Sequence, residues 1–459
     1  MWALTPSSRR RSSTRAALAI TAAALLLGAC SSASDEVATG EHEQDVPRAE
    51  LPVAPSLAWS VGVADVDDAD VDGAGGSFVA PQALAAMYGV PDAYEVDGVV
   101  VTVLRGEGGS RLVAFSGDDG AVAWQTDLHI DNPDALTVEI TCATTAIDGL
   151  LPCLAATFNP SDRSRNSELN FIDLDDGVVA STVPAPYATA VKVDNGALYT
   201  AGQDNRAART PITIARGTVE DPTSDWMEEY FLAGQCQGSG DGYTFDIVNG
   251  VVHFGSVGAV LADAENGERL IADDFSGATL LPGRGFVATL CSAPQTAVVG
   301  ANDGTEVRRH LGSHTWGAPW SDVSEQSPYL VGFEGIDFDS GESIWKLENT
   351  ANRSVMAVYS GTVIMFGWED DRPLVTGVDL ETGESLWSVS RDIIATVDNT
   401  DGERVIGMNS VLNEVVAVNL RSGEVEWTLA VPENSRARLA GDGLLVVSGS
   451  ELQMFSTDD

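Results

Sequence analysis

Four segments of this chain superimpose without gaps, and that repeat constrains the fold more than any other feature: 114-AFSGDDGAVAW-124, 335-GIDFDSGESIW-345, 377-GVDLETGESLW-387 and 417-AVNLRSGEVEW-427. Each reads as strand, turn, strand. A Gly (Gly120, Gly341, Gly383, Gly423) stands four residues before a Trp (Trp124, Trp345, Trp387, Trp427). An Asp, Asn or Ser side chain caps such a turn, while Gly takes the left-handed conformation that a tight hairpin requires. Weaker copies at 171–181, 261–271 and 298–308 keep the turn and lose the Trp. A further copy at 212–229 has an expanded turn and regains an aromatic at Trp226.

From Gly267 the turn glycines recur after 37, 37, 42 and 40 residues. A period of about 40–50 residues with several short strands per unit marks a propeller. Alternating apolar runs between the hairpins, such as 197-ALYTAG-202, 251-VVHFGS-256 and 444-LLVVSGS-450, supply inner strands. The expected fold is all-β: a β-propeller of eight four-stranded blades, with seven or nine also consistent with the strand count. The chain ends on a third strand, 451–456, with no hairpin after it. Strand 57–63, with Trp59 in the repeat's Trp position, is expected to complete that blade and close the ring, which removes an open sheet edge.

The hairpin resembles the Ala-Leu-Asp-x-x-Thr-Gly-x-x-x-Trp consensus of the quinoprotein-like (PQQ-like, quinoprotein alcohol dehydrogenase-like) repeats. The match is close at 377–387, good at 335–345 and 417–427, and looser elsewhere. The resemblance covers 57–459 and implies the propeller fold. The dehydrogenases that give the family its name use an adjacent Cys-Cys disulfide over the quinone, an acidic Ca²⁺ site and an Asp base. This chain has no adjacent cysteines, so PQQ-dependent dehydrogenase activity is a minor alternative, and no catalytic or quinone-binding residue is assigned.

The N-terminus carries an address. Arg9, Arg10, Arg11 and Arg15 precede an apolar run from Ala16 to Leu27. That run is shorter than the ~20 residues a spanning helix needs, so 1–29 reads as a cleaved signal peptide. The general export route is expected, because no apolar pair follows the arginines. Leu27-Gly28-Ala29-Cys30 resembles the lipobox of bacterial lipoproteins, which implies that Cys30 becomes the first mature residue, carrying a diacylglyceryl thioether and an amide-linked acyl chain of the palmitate kind. Residues 30–56 are polar and Pro-containing with no apolar period, and are expected to be a flexible tether. The propeller domain is then 57–459, lipid-anchored on the extracytoplasmic face of the cell membrane.

The formal net charge of −43, from 68 acidic and 25 basic residues, repels nucleic acid and disfavours it as a partner. Four cysteines besides Cys30 remain, Cys142, Cys153, Cys236 and Cys291; in an exported chain they read as two disulfides. Three pairings are open. Cys142–Cys153 around the Asp148-Gly149 turn is favoured, leaving Cys236–Cys291.

Three further features bear on chemistry. Asp68, Asp70 and Asp72 alternate before Gly73 as at the start of a calcium loop, but position twelve, where an EF-hand needs Glu, is Val79. Ca²⁺ is thus a candidate cofactor set against an acidic, solvated insertion, and no other cofactor is expected. His310 and His314 have the spacing of a metal pair without a third ligand. Trp316 and Trp320 fall outside the repeat and are candidates for ligand contact, whereas the repeat tryptophans are expected to pack blades. The architecture also resembles that of propeller lipoproteins that help to assemble outer-membrane barrels, a likeness that transfers no role; the Arg-over-Lys, Ala- and Val-rich composition suggests a cell without such a membrane. The functional expectation is a non-enzymatic binding scaffold for an envelope protein or glycan, with a solute or glycan receptor as the alternative.

Overall fold

In the computed structural model, the Gly and Trp of the repeat belong to one contact made between neighbouring repeats. The described residues run from 51 to 457, leaving out 67–75, 82–91, 107–108, 129–137, 160–163, 204–210, 233–243, 294–295, 312–319, 349–351 and residues 257, 273, 322, 325, 370, 398 and 410. In five of the units the indole N–H donates to a backbone carbonyl in the outer turn of the next repeat. Trp59 donates to Gly117 at 2.8 Å, Trp124 to Leu174 at 2.7 Å, Trp226 to Ala264 at 3.2 Å, Trp345 to Leu380 at 2.7 Å and Trp387 to Leu420 at 2.8 Å. The ring lies flat on that turn's glycine. A Cβ at Gly120, Gly177, Gly267, Gly383 or Gly423 would stand 2.5–2.7 Å from the indole above it.

The turn is shaped for this from its own sequence. At 379–383 the Asp379 carboxylate accepts from the backbone N–H of Glu381 and of Thr382, both at 3.0 Å, and Gly383 sits at φ 71°. Asp263 and Asn419 do the same in their turns, an Asx arrangement that needs a short acceptor side chain.

The strands assemble into eight sheets, all antiparallel apart from one short parallel pairing of Trp320–Ser321 with Ser354–Tyr359. Seven of the sheets hold one repeat unit each: 77–127, 138–184, 190–230, 329–346, 354–390, 399–430, and 436–456 together with 56–62. The seven-stranded sheet holds two, 244–263 and 275–311, joined by the single pair Ala259–Phe275. The units therefore number nine, the upper of the counts that the sequence left open. Nine buried apolar clusters agree, since each lies between successive units, including one between the last and the first.

The two irregular units account for the ambiguity. After 244–263 the chain keeps only the bridge Ala262–Arg269 in place of a fourth strand. Unit 329–346, the sixth, has three strands in its sheet. In two of the units that lack the Trp, another side chain covers the next glycine: Leu270 lies over Gly304, and Arg308 lies over Gly341. Arg308 also donates from Nη1 to the Ser340 carbonyl, so its aliphatic stem and guanidinium together reproduce the two halves of the indole contact.

The ring closes as expected. The strand Ser56–Gly62 pairs antiparallel with Glu451–Ser456, in register from Ser56–Ser456 to Gly62–Glu451. Inner strands add cross-unit ties: Arg438 to Asp92 at 2.6 Å, Lys192 to Asp246 at 2.9 Å, and Tyr94 to the Ala143 carbonyl at 2.8 Å. Cys142 and Cys153 face each other across two strands of the second unit and form a disulfide. The inner-hairpin turns hydrogen-bond to the outer-hairpin turns, as Leu380 does to Gly361 and Ala264 to Gly250. All these turns share one face of the ring, called here the turn face; the second-to-third-strand hairpins point the other way and form the loop rim.

Gly383→Ala places a methyl against the Trp345 ring at a positive φ, and is expected to cost about 2–4 kcal/mol. Gly98→Ala has a similar φ with nothing within 4 Å, so it isolates the backbone cost of about 1 kcal/mol. Urea unfolding of both variants checks the difference; equal losses would remove the indole contact as the cause.

Candidate functional site

Several residues expected to carry chemistry lie outside the described residues: Cys30, the Asp68, Asp70 and Asp72 loop, Cys236, His314 and Trp316. Cys291 is described and is disulfide-bonded. Among the described residues no group of three His, Cys, Asp or Glu is placed to hold a metal ion, and no helix is long and apolar enough to cross a membrane. Trp59, Trp124, Trp345, Trp387 and Trp427 are all buried with their N–H groups engaged. They pack blades and present no ring to a ligand. The sequence lacks the adjacent Cys-Cys pair that the quinoprotein dehydrogenases place over their quinone. The described cysteines are engaged in disulfides, Cys142 with a partner eleven residues away across two strands.

His310 and Trp320 are described, and they serve different contacts. The His310 Nε2 stands 2.7 Å from the Tyr329 hydroxyl. Burial and the nearby Arg308 hold the imidazole pKa below its ordinary value, and burial pushes the Tyr329 phenol up. The phenol and the imidazole share this hydrogen bond, a tie between the fifth and sixth units. Trp320 is half-buried between the clusters on either side of the sixth unit.

Exposed large apolar side chains occur at several places, Leu311 and Phe231 among them, and a group that combines an aromatic row with aliphatics stands on the loop rim of the seventh and eighth units. The hairpin joining Thr362–Glu369 to Arg372–Asp379 carries Trp368, which is 50% exposed. Residues 364, 366 and 368 share one face of their strand. Ile364 is in the core between the seventh and eighth units, and Phe366 and Trp368 continue that row out of the core to the rim. Phe366 meets Trp368 edge to face at 6.1 Å, and the Arg391 guanidinium lies 4.4 Å from the Phe366 ring centre. On the strand's other side Arg353 packs against Gly367. In the eighth unit, the corresponding hairpin between Arg404–Asn409 and Glu414–Asn419 exposes Val411 (70%) and Leu412 (62%). The Asn409 carboxamide accepts from both of their backbone N–H groups at 3.1 Å, which fixes the tip. An exposed Trp beside exposed aliphatics and arginine is the composition of a protein-contact centre.

The fold is a β-propeller, and its hairpin repeat resembles the quinoprotein-like type. More narrowly, residues 331–457, the sixth to ninth units, match the family model described as outer membrane protein assembly factor BamB. Similar solved structures include BamB from Moraxella catarrhalis, at 12% identity over 80% of this chain and 94% of that one with a TM-score of 0.40. They also include the quinohemoprotein alcohol dehydrogenase ADHIIG from Pseudomonas putida HK5, at 12% identity over 87% and 76% with a TM-score of 0.45. A third is AztD from Citrobacter koseri, at 10% identity over 75% and 93% with a TM-score of 0.36. A comparison with curated proteins finds no match.

One buried group makes stability depend on pH. His253 is 3% exposed, and burial pushes its pKa down to about 4, with Asp246 opposing and Lys192 adding to the shift. The folded state thus prefers the neutral ring. Its contribution is complete above the ordinary value of 6.5 and declines as pH falls from 6.5 towards about 4. The loss is at most about 1.4 kcal/mol per pH unit. Urea melts at pH 7.5 and pH 5 should show the wild type losing stability and His253→Asn losing distinctly less.

Proposed function

We propose that this chain is an extracytoplasmic, membrane-anchored lipoprotein whose propeller is a non-enzymatic scaffold, holding a partner protein of the cell envelope against the loop rim of the seventh and eighth units. The observation that carries the reading is the position of Trp368, Val411 and Leu412. They are exposed at adjacent hairpin tips within the segment that matches the model described as outer membrane protein assembly factor BamB. None of them contributes to a blade lock, so their exposure costs solvation without improving the ring. Apolar side chains kept at loop tips in that way suit association with another protein surface.

The family description names an assembly factor, and a scaffold role fits an array in which the repeat residues are consumed by packing. The anchor is assigned to Cys30 on its lipobox, and the disulfides fit an exported chain. A polar glycan would use Trp368 by stacking and would have no need of Val411 or Leu412, so the aliphatic pair favours a protein.

The test is photocrosslinking in cells from a benzoylphenylalanine at Val411, followed by mass spectrometry of the adducts. Trp368→Ala and Leu412→Glu are expected to weaken capture of the same protein by about 30-fold, as for a contact-centre residue. Their unfolding midpoints should stay with the wild type. Adducts that persist in both variants, or that contain no protein, would overturn the assignment.

A further inference from the structure

Leu51, the first described residue, is 0% exposed and belongs to the core between the eighth and ninth units. The tether expected to run to residue 56 is thus already part of the ring at this point. The Leu51 carbonyl accepts from the Trp427 indole at 2.8 Å. In the other locks that acceptor is a carbonyl of the next unit's outer turn. The ninth unit has no such turn, since its outer strand comes from the N-terminus, and Leu51 occupies the empty place.

A second bond fixes the same residue. Its N–H donates to Asp401 Oδ2 at 3.3 Å. The Asp401 side chain is fully buried, paired with Arg404 Nη1 at 3.0 Å, and also accepts from the Glu403 and Arg404 backbone. Removing a partner from a buried, hydrogen-bonded charge is costly, so Leu51 is held from both sides. The register beginning at Ser56–Ser456 puts the point where the chain enters the ring, and the point where it leaves, on the turn face.

We infer that this clasp sets how the propeller stands on its membrane, with the turn face towards the lipid and the loop rim with Trp368, Val411 and Leu412 presented away from it. The inference rests on the lipid anchor at Cys30 proposed above. Cys30 and Leu51 are 21 residues apart in sequence, and Leu51 is held at the turn face. Strands of six to eight residues make the ring about 20–26 Å thick before its loops are added. With the rim turned to the membrane, the entry point at Leu51 would stand a full ring thickness further from the lipid. With the turn face towards the membrane, the point where the chain joins the ring lies on the lipid side. The outer turns are rich in carboxylates, Asp118, Asp119, Asp175 and Asp176 among them, which anionic headgroups repel over about a Debye length, 8 Å at physiological salt. The ring therefore stands off the surface instead of lying on it.

The test uses the full mature chain coupled through the Cys30 thiol to a maleimide lipid in phosphatidylcholine vesicles, so that it does not depend on cellular lipidation. A fluorophore is placed by Glu381→Cys on the turn face or Val411→Cys on the rim, and headgroup spin-labelled lipid is the quencher. Quenching about threefold or more greater at 381 than at 411 is expected from the difference in height across the ring. Adding phosphatidylglycerol should reduce quenching at 381 in low salt and leave less effect at high salt. Equal quenching, or stronger quenching at 411, would overturn the inference. Acyl labelling in cells, lost in Cys30→Ala, tests the anchor separately, and its failure would remove the anchor while leaving the measured entry face in place.

Discussion

Everything in this ring depends on one contact made repeatedly: an indole lying flat on the glycine of the next unit's turn while its N–H reaches a carbonyl of that turn. A single four-stranded blade cannot bury both of its faces. The contact couples the outer edge of one blade to the most sharply defined turn of its neighbour, so blade shape and blade spacing are set together. Removing water from an indole is favourable only if its N–H finds an acceptor, and the turn supplies both the flat seat and the acceptor. The glycine is required because no side chain fits beneath the ring, and the capping Asp or Asn is required because it holds the glycine at positive φ.

The same contact explains which departures the ring tolerates. At the fifth unit an arginine gives an apolar stem to the glycine and a donor to the carbonyl, so both halves survive in different chemistry. At the fourth, leucine keeps only the apolar half, and there the unit lacks a full outer strand and shares a sheet with its neighbour. At the eighth, the indole keeps its full geometry but takes its acceptor from Leu51, 376 residues away in sequence. The ring is thus closed twice, by strand pairing and by a stand-in for a missing turn.

What was legible in the sequence follows from locality. The Gly-x-x-x-Trp spacing encodes a turn and the strand after it, so fold, closure and even Trp226 in its expanded turn could be read from residue types alone. The number of units could not, because the stretch around the expanded turn at 212–229 and the short sixth unit depart from the period of the repeat. Leu51 gave no local sign, since it lies in a Pro-containing polar stretch and acquires its role only when the ninth unit lacks a turn. The rim was hidden for a different reason. Phe366 and Trp368 continue an alternation that begins in the core, and only the end of the neighbouring blade determines that Ile364 is covered and Trp368 is not. His310 had the spacing of a metal pair with His314 but no third ligand and read as a surface histidine, while its partner Tyr329 comes from the next unit, a pairing no helical or strand period contains.

The division of labour between the two faces is a consequence of the lock. Turns that must seat an indole have their glycine, their capping side chain and a carbonyl already committed, so the turn face varies little in backbone and carries mainly the charges of its exposed positions. The hairpins on the opposite rim carry no such obligation and differ freely in length and composition between units. Packing leaves residue identity undictated on the rim, and binding residues in general gather at such positions. The clasp on Leu51 then gives that asymmetry a direction, because the chain enters the ring on the face that packing has already taken.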